Sequence, residues 1–198
     1  HYKPRTTFED LAKYSDGIIC CSACLGGIIP RAIGDKDINK AIEYILEYKK
    51  IFGEDFYLEL QDHNIDIQKP INKVLIQLAK KTDTKLIATN DSHYIQKDDA
   101  YAHQILLCKQ TQAKISDEKK MSFSTSEFYL KNNEEMGSQL SYLGNDIFEE
   151  CISNSNEIAN KIEQYDILQH EYNYPVFGTK EESLAKLTKL SKEGFIKR

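Results

Sequence analysis

Two hydrophobic spacings alternate along this chain. Short apolar runs rich in β-branched residues stand between longer stretches whose apolar residues return every three or four positions. The first spacing suits strands and the second suits helices with one buried side. "TTFEDLAKYS" predicts a short helix, with Thr6 or Thr7 as cap and Phe8, Leu11 and Ala12 on one face. "GIICC", Gly17 to Cys21, reads as a buried strand. Ile38, Ala41, Ile42, Ile45, Tyr48 and Phe52 then form one helical stripe, which Gly53 ends. "FYLELQD" alternates, setting Phe56, Leu58 and Leu60 against Tyr57, Glu59 and Gln61. The next helix opens near Pro70 and carries Ile71, Val74, Leu75, Leu78 and Ala79 on one face. "KLIATN" is the third strand, and a helix from Asp98 or Asp99 turns Ala102, Ile105 and Leu106 inward.

Strand, helix, strand, helix, strand, helix implies a parallel sheet with right-handed crossovers. A closed β/α barrel takes about eight strands. Either the sheet is open, or its other strands precede His1; the abrupt start on "HYKPRTTF" favours the second expectation. Beyond about Thr111 the pattern changes. "KISDEKKMSFSTSEFYL" is polar, with a short strand possible at Glu127 to Leu130. Asn132 and Glu135 offer a capping box. Ile147, Cys151, Ile158 and Ile162 have helical spacing, a linker follows around Pro175 and Gly178, and a last helix carries Leu184, Leu187 and Leu190. The reading is residues 1–115 as β/α units and 116–198 as a loop and helical segment.

The 198 residues suffice for one domain with a proper core, or one plus an appendage. The formal net charge is −5, so no basic excess announces a nucleic-acid binder, although a local patch can act within an acidic chain. Five cysteines include the adjacent pair Cys20 and Cys21 and come with no visible secretory leader. This argues for a reducing, cytoplasmic setting, with Cys20 and Cys21 in the core. No apolar run is long enough to span a bilayer.

Chemistry gathers at the predicted strand ends, where parallel α/β folds place their sites. "CSACLGG" sets Cys24 just past the first strand, "ELQDH" sets Glu59, Asp62 and His63 at the second, and "NDSH" sets Asp91 and His93 at the third. Thiolate, carboxylate and imidazole are the donors a borderline metal accepts. Each residue also has a plainer role. A strand-terminal Asp forms turns and caps, and a Cys is often a small hydrophobe. His63 reads as solvated, and His103 as a packing or hydrogen-bonding residue. Glu59, if its face lines a barrel, needs a partner. No Gly-rich phosphate loop and no Gly-x-Ser-x-Gly elbow occur; Gly26 and Gly27 read as turn formers.

"DGIICCSACLGGIIPRAI", "YKKIFGEDFYLELQDH", "LIATNDSHYIQKDDAYAHQILLC", "FYLKNNEEM" and "SLAKLTKLSKEGFIKR" follow one another at a telling spacing. Together they resemble the bacterial replicative DNA polymerase III alpha subunits over nearly the whole chain. The matching part is the later portion of the polymerase-and-histidinol-phosphatase (PHP) domain and the helices leading toward the polymerase core. The resemblance implies part of a distorted, TIM-like β/α barrel with parallel strands, followed by a mainly helical segment. It implies that Cys24, Asp91 and His93 are metal ligands, with zinc or manganese in that site and magnesium for the parent polymerase. Further ligands, including a His-x-His, would precede His1. The aspartates of nucleotidyl transfer would follow Arg198, so the fragment alone would be inactive.

Implied partners are DNA through the parent enzyme, a proofreading exonuclease subunit and a sliding clamp, with no membrane. The barrel would support the polymerase, dock the exonuclease or itself proofread as a 3′–5′ exonuclease. A stand-alone PHP phosphatase and a degenerate protein-binding barrel are the alternatives. Two departures stand out: Ala23 replaces a frequent Gly, and Lys119 and Lys120 lie where an Arg is common, without its fork geometry.

Overall fold

The computed structural model describes residues 5–164 and 178–197. Chain contacts divide the protein into a body, His1–Ile162, and a second unit, Glu163–Arg198. The predicted linker around Pro175 lies outside the described residues.

The body is built on a parallel sheet of three strands in the order β1 (Cys20–Cys21), β2 (Phe56–Leu60), β3 (Lys85–Ala88). The sheet is open: it does not close into a barrel. Helix α1 (Phe8–Lys13) is capped by Thr7, whose Oγ1 accepts from the Asp10 N–H at 3.2 Å. Phe8 packs edge-on against Tyr48 at 5.1 Å, which ties α1 to the following long helix. The periodicity also hides a helix. α2 (Ile28–Gly34) buries Ile29, Ala32 and Ile33 between β1 and α3 (Ile38–Phe52) in sequence. Helix α3 buries Ala41 and Ile45 as its stripe predicts.

Strand β1 is shorter and more open than "GIICC" suggested. Ile18 is half exposed, Cys20 is half-buried and Cys21 is exposed, so neither cysteine is the core residue expected. The reason is position: β1 is an outer strand with one neighbour. Burial and the charge of Glu59 push the Cys20 thiol up to about 11, so it stays protonated. All five cysteines are free thiols.

The central strand β2 departs from simple alternation in the other direction. Phe56, Leu58 and Leu60 are buried as predicted, and so is Tyr57 on the alternate face. Helix α4 (Gln68–Thr82) supplies Ile71, Leu75, Leu78 and Ala79 to the core. On the alternate face the Tyr57 hydroxyl meets α7 (Asn145–Lys161). The Tyr57 hydroxyl donates to Glu157 Oε1 at 3.2 Å and accepts from Lys161 Nζ at 3.1 Å. Asn154 Nδ2 donates to the Leu86 carbonyl at 2.7 Å, pairing a group that edge strand β3 would leave open. Cys151 is buried in the same core.

Helix α5 (Ala100–Thr111) forms where predicted but turns a different face inward. Leu107 and Cys108 are buried, while Ile105 and Leu106 are 49% and 56% exposed. Residues 127–130 form only an isolated parallel bridge, Tyr94 to Tyr129. Helix α6 (Asn133–Leu140) starts on the expected capping box: Glu135 N–H to Asn132 Oδ1 and Asn132 N–H to Glu135 Oε2, both 2.9 Å. The second unit contains α8 (Lys180–Lys197), which has no buried residue.

Candidate metal centre at the strand ends

The three strand ends open on one side of the sheet, since all pairs are parallel. Past β1, the chain turns sharply at Ala23, which holds a φ of 62°. A side chain is strained there, where a glycine would not be. Gly27 is needed for a different reason. An added Cβ would lie 2.4 Å from the Ser22 carbonyl oxygen, so a side chain at 27 would break this turn. Within it Cys24 is exposed.

Glu59 has the partners its position demands. Its Oε1 accepts from the Ala23 N–H at 2.8 Å, and Oε2 from the Thr89 hydroxyl at 2.6 Å. Ser22 Oγ accepts the Glu59 N–H at 2.9 Å. Glu59 therefore fastens the loop after β1 and the end of β3 to β2, the role of a structural carboxylate.

Past β3, Asp91 and His93 come together: His93 Nε2 lies 3.2 Å from Asp91 Oδ1, with both side chains part-exposed. The His93 N–H donates to the Phe128 carbonyl at 2.7 Å, which sets the loop against the segment after α5. His93 also joins an aromatic cluster: His103 at 5.5 Å, Phe123 at 4.7 Å and Phe128 at 5.7 Å between ring centroids. His103 is thus a packing residue, as its helical position suggested, and burial together with His93 holds its imidazole below the ordinary range.

His63 was expected in water and is instead 1% exposed. Its ring stacks flat on Phe128, 4.4 Å between centroids and 4° between planes. Gln68, at the start of α4, accepts the His63 N–H at 2.7 Å and meets Nδ1 at 3.0 Å. Burial first, then the charge of Lys131, lower its pKa, against the smaller opposing effect of Asp91, Asp62 and Glu127. The sequence signal for this was a Gln five residues after the His, meaningful only once α4 has folded.

A second polar group lies nearby. The Lys131 side chain is 1% exposed, lies over the Tyr129 ring at 4.2 Å and is 3.5 Å from Glu127 Oε2. Lys97 meets Glu127 Oε1 at 2.5 Å. Burial works to raise the Glu127 carboxyl, but the Lys97 hydrogen bond and the two lysine charges hold it low. Glu127 and Tyr129 line an open cleft of about 580 Å³ with Lys69, Glu135 and Tyr142.

Among the described residues, no three or more His, Cys, Asp or Glu side chains are grouped as a metal cage. Asp91 and His93 fit as two donors of such a site, and Cys24 is not gathered with them into a third. This geometry stands on a chain with clear relatives. A PHP-domain model matches residues 1–63. The DNA polymerase III subunit alpha of Borreliella burgdorferi is 43% identical over 194 residues, 95% of this chain and 16% of that protein. The subunit of Campylobacter jejuni is 40% identical over 81% of this chain, and that of Aquifex aeolicus 44% over 59%.

The chain is homologous to one segment of the DNA polymerase III alpha subunit. It spans 16%, 14% and 10% of these three relatives' lengths. The PHP match ends at His63, so it takes in Cys24 and Glu59 and stops short of Asp91 and His93. Those two residues fall instead within the B. burgdorferi similarity, which runs over nearly the whole chain.

Proposed function

We propose that this chain serves as the later PHP-domain portion, residues 1–115, and the following helical segment of a DNA polymerase III alpha subunit. The parent enzyme would extend DNA by nucleotidyl transfer in the cytoplasm, using magnesium. Further strands would complete the open sheet into a distorted β/α barrel. Asp91 and His93, with Cys24 brought in from the loop after β1, would be this segment's donors to a zinc or manganese site. Such an ion, when bound, supplies an activated water suited to attack on a phosphodiester. The barrel would brace the polymerase and either proofread or receive a proofreading exonuclease, beside the sliding clamp and DNA.

The observation that carries this reading is the Asp91–His93 pair, 3.2 Å apart at the end of a parallel strand. A turn-forming Asp alone gives no reason for the imidazole beside it. The test uses the alpha subunit containing this chain. Asp91→Asn is expected to lower bound zinc or manganese by elemental analysis, together with any 3′–5′ exonuclease activity, while nucleotide addition persists. Unchanged metal content would leave Asp91 a turn former and remove the metal reading.

A further inference from the structure

One carboxylate lies between the two loops that carry the candidate donors. Glu59 stands on the central strand, with β1 on one side and β3 on the other. It takes the N–H of Ala23, the residue before Cys24, at 2.8 Å. It also takes the hydroxyl of Thr89, just upstream of Asp91, at 2.6 Å. Gln61 Nε2 donates to the Thr89 oxygen at 2.8 Å, which leaves the Thr89 proton to point at Glu59. The reverse amide would set its oxygen against Glu59 Oε2, 3.4 Å away. Cys24, Glu59 and Gln61 also line one small cavity, so Cys24 lies beside the same carboxylate.

These contacts tie each loop to the sheet just before its donor. Ser22 and Thr89 still donate their N–H groups to the Tyr57 and Leu60 carbonyls. Past that point the Cys24 carbonyl is taken up by Gly27 of its own turn, and Asp91 meets His93 of its own loop. Ala23 holds a φ of 62°, which a residue with a side chain keeps where its surroundings hold it there. The partners of Glu59 are Ala23, Thr89 and Gln61, none of them a cation. A half-buried charge without a cation is a costly fastening. What it provides is acceptance from both loops at once, which a neutral amide with one acceptor oxygen cannot give.

We propose that Glu59 is a positioning residue: its carboxylate keeps the roots of the Cys24 and Asp91 loops at one separation, so that donors from both reach a common divalent cation. The latch stands on geometry alone, and its use for a cation rests on the metal reading above. Cys24 is not gathered with Asp91 and His93. Its approach to them therefore pivots about Ala23, whose N–H Glu59 holds. Loss of such an outer partner is expected to weaken metal binding about 10- to 100-fold.

The experiment uses the alpha subunit containing this chain, with hydrogen exchange read at the Ala23 amide and cobalt(II) as the probe ion. Without metal, Glu59→Ala should speed Ala23 exchange about tenfold or more, as loss of a hydrogen bond to a charged group implies. With cobalt, the wild type should show a sulfur-to-cobalt absorption band that Cys24→Ser abolishes. Glu59→Ala should lose most of that band and bind cobalt about 10- to 100-fold more weakly. Thr89→Val keeps the carboxylate and its Ala23 contact. It should weaken cobalt binding about tenfold while Ala23 exchange holds. Thr89→Ser restores the hydroxyl and should bind as the wild type does. Should Glu59→Ala fail to fold, the two Thr89 variants decide. Unchanged Ala23 exchange or an undiminished band in Glu59→Ala, or wild-type affinity in Thr89→Val, would each overturn the proposal. A wild type with no band would remove Cys24 from the metal reading, and the exchange arm would still decide whether Glu59 holds the loop.

Discussion

Helices α7 and α8 are of similar length, 17 and 18 residues, and the sequence gives both an apolar stripe. Their environments have little else in common. Helix α7 lies along the edge strand, buries Cys151 and sends Asn154, Glu157 and Lys161 to groups on β2, β3 and the turn before β2. Helix α8 exposes Leu184, Leu187 and Leu190 alike. Periodicity announces that a helix has a face to bury and is silent about what will bury it. Helix α7 finds its cover within the body, where Cys151 lies in the core and Ile147 packs against it.

The largest effect should come from charging the buried face of α7. Burial and the nearby Glu150 push the Cys151 thiol up to about 12, so the site resists a negative charge. Cys151→Asp is expected to cost about 3 kcal/mol in denaturant unfolding of the body. A loss under about 1 kcal/mol would mean that α7 is peripheral and that the contrast with α8 is overdrawn.

The same contrast explains what the sequence could and could not say about the site. Spacing alone located the three strands, the cap at Asn132, the pair Thr6 and Thr7 of which Thr7 is the cap, and the polar strand ends that carry Cys24, Glu59, Asp91 and His93. These are local features, fixed by neighbours within a few residues. The fate of His63 was not local. Its burial depends on Phe128, which is 65 positions later, and on Gln68 arriving at the head of α4. A His in a polar stretch looks solvated until that packing exists. Helix α5 shows the same limit on a smaller scale. Ile105 and Leu106 match a buried stripe as well as Leu107 and Cys108 do, and spacing alone does not select between the faces.

A middle-sized effect is expected from the polar side of α7, and pH reveals it. Hydrogen bonds from Lys161 and Lys85 hold the Glu157 carboxyl down at about 2, and Glu157 in turn raises Lys161. A carboxylate depressed in the folded state adds stability above its unfolded pKa, and that stability is lost as pH falls toward the folded one. The body should therefore lose stability between about pH 4.5 and pH 2, part of it through Glu157. In Glu157→Gln that part of the acid limb should be missing, with wild type and variant converging near pH 2. Solvent screens these partly exposed pairs, so the effect is smaller than that at Cys151. Parallel acid limbs in the two proteins would show that Glu157 does not fasten α7.

The smallest effect is expected where α8 shows its leucines. Leu187 is 63% exposed, midway between Leu184 and Leu190 on the same helical face. An exposed leucine makes few contacts to lose, and substitutions at such positions usually fall within about 0.5 kcal/mol. Leu187→Ser should thus leave the unfolding of residues 1–162 unchanged within that margin, while the same change at buried Leu58 should not. Hydrogen exchange on the unaltered chain supplies the companion measurement. An 18-residue helix with no buried residue draws little from tertiary packing, and isolated helices near that length are marginal in water. Amides of α8 should exchange faster than those of α7, whose opening requires the Cys151 and Asn154 contacts to break. Equal protection in both helices, or a Leu187→Ser loss above about 1 kcal/mol, would mean that the leucine face of α8 is covered in solution. The two helices would then differ in partner rather than in whether they have one.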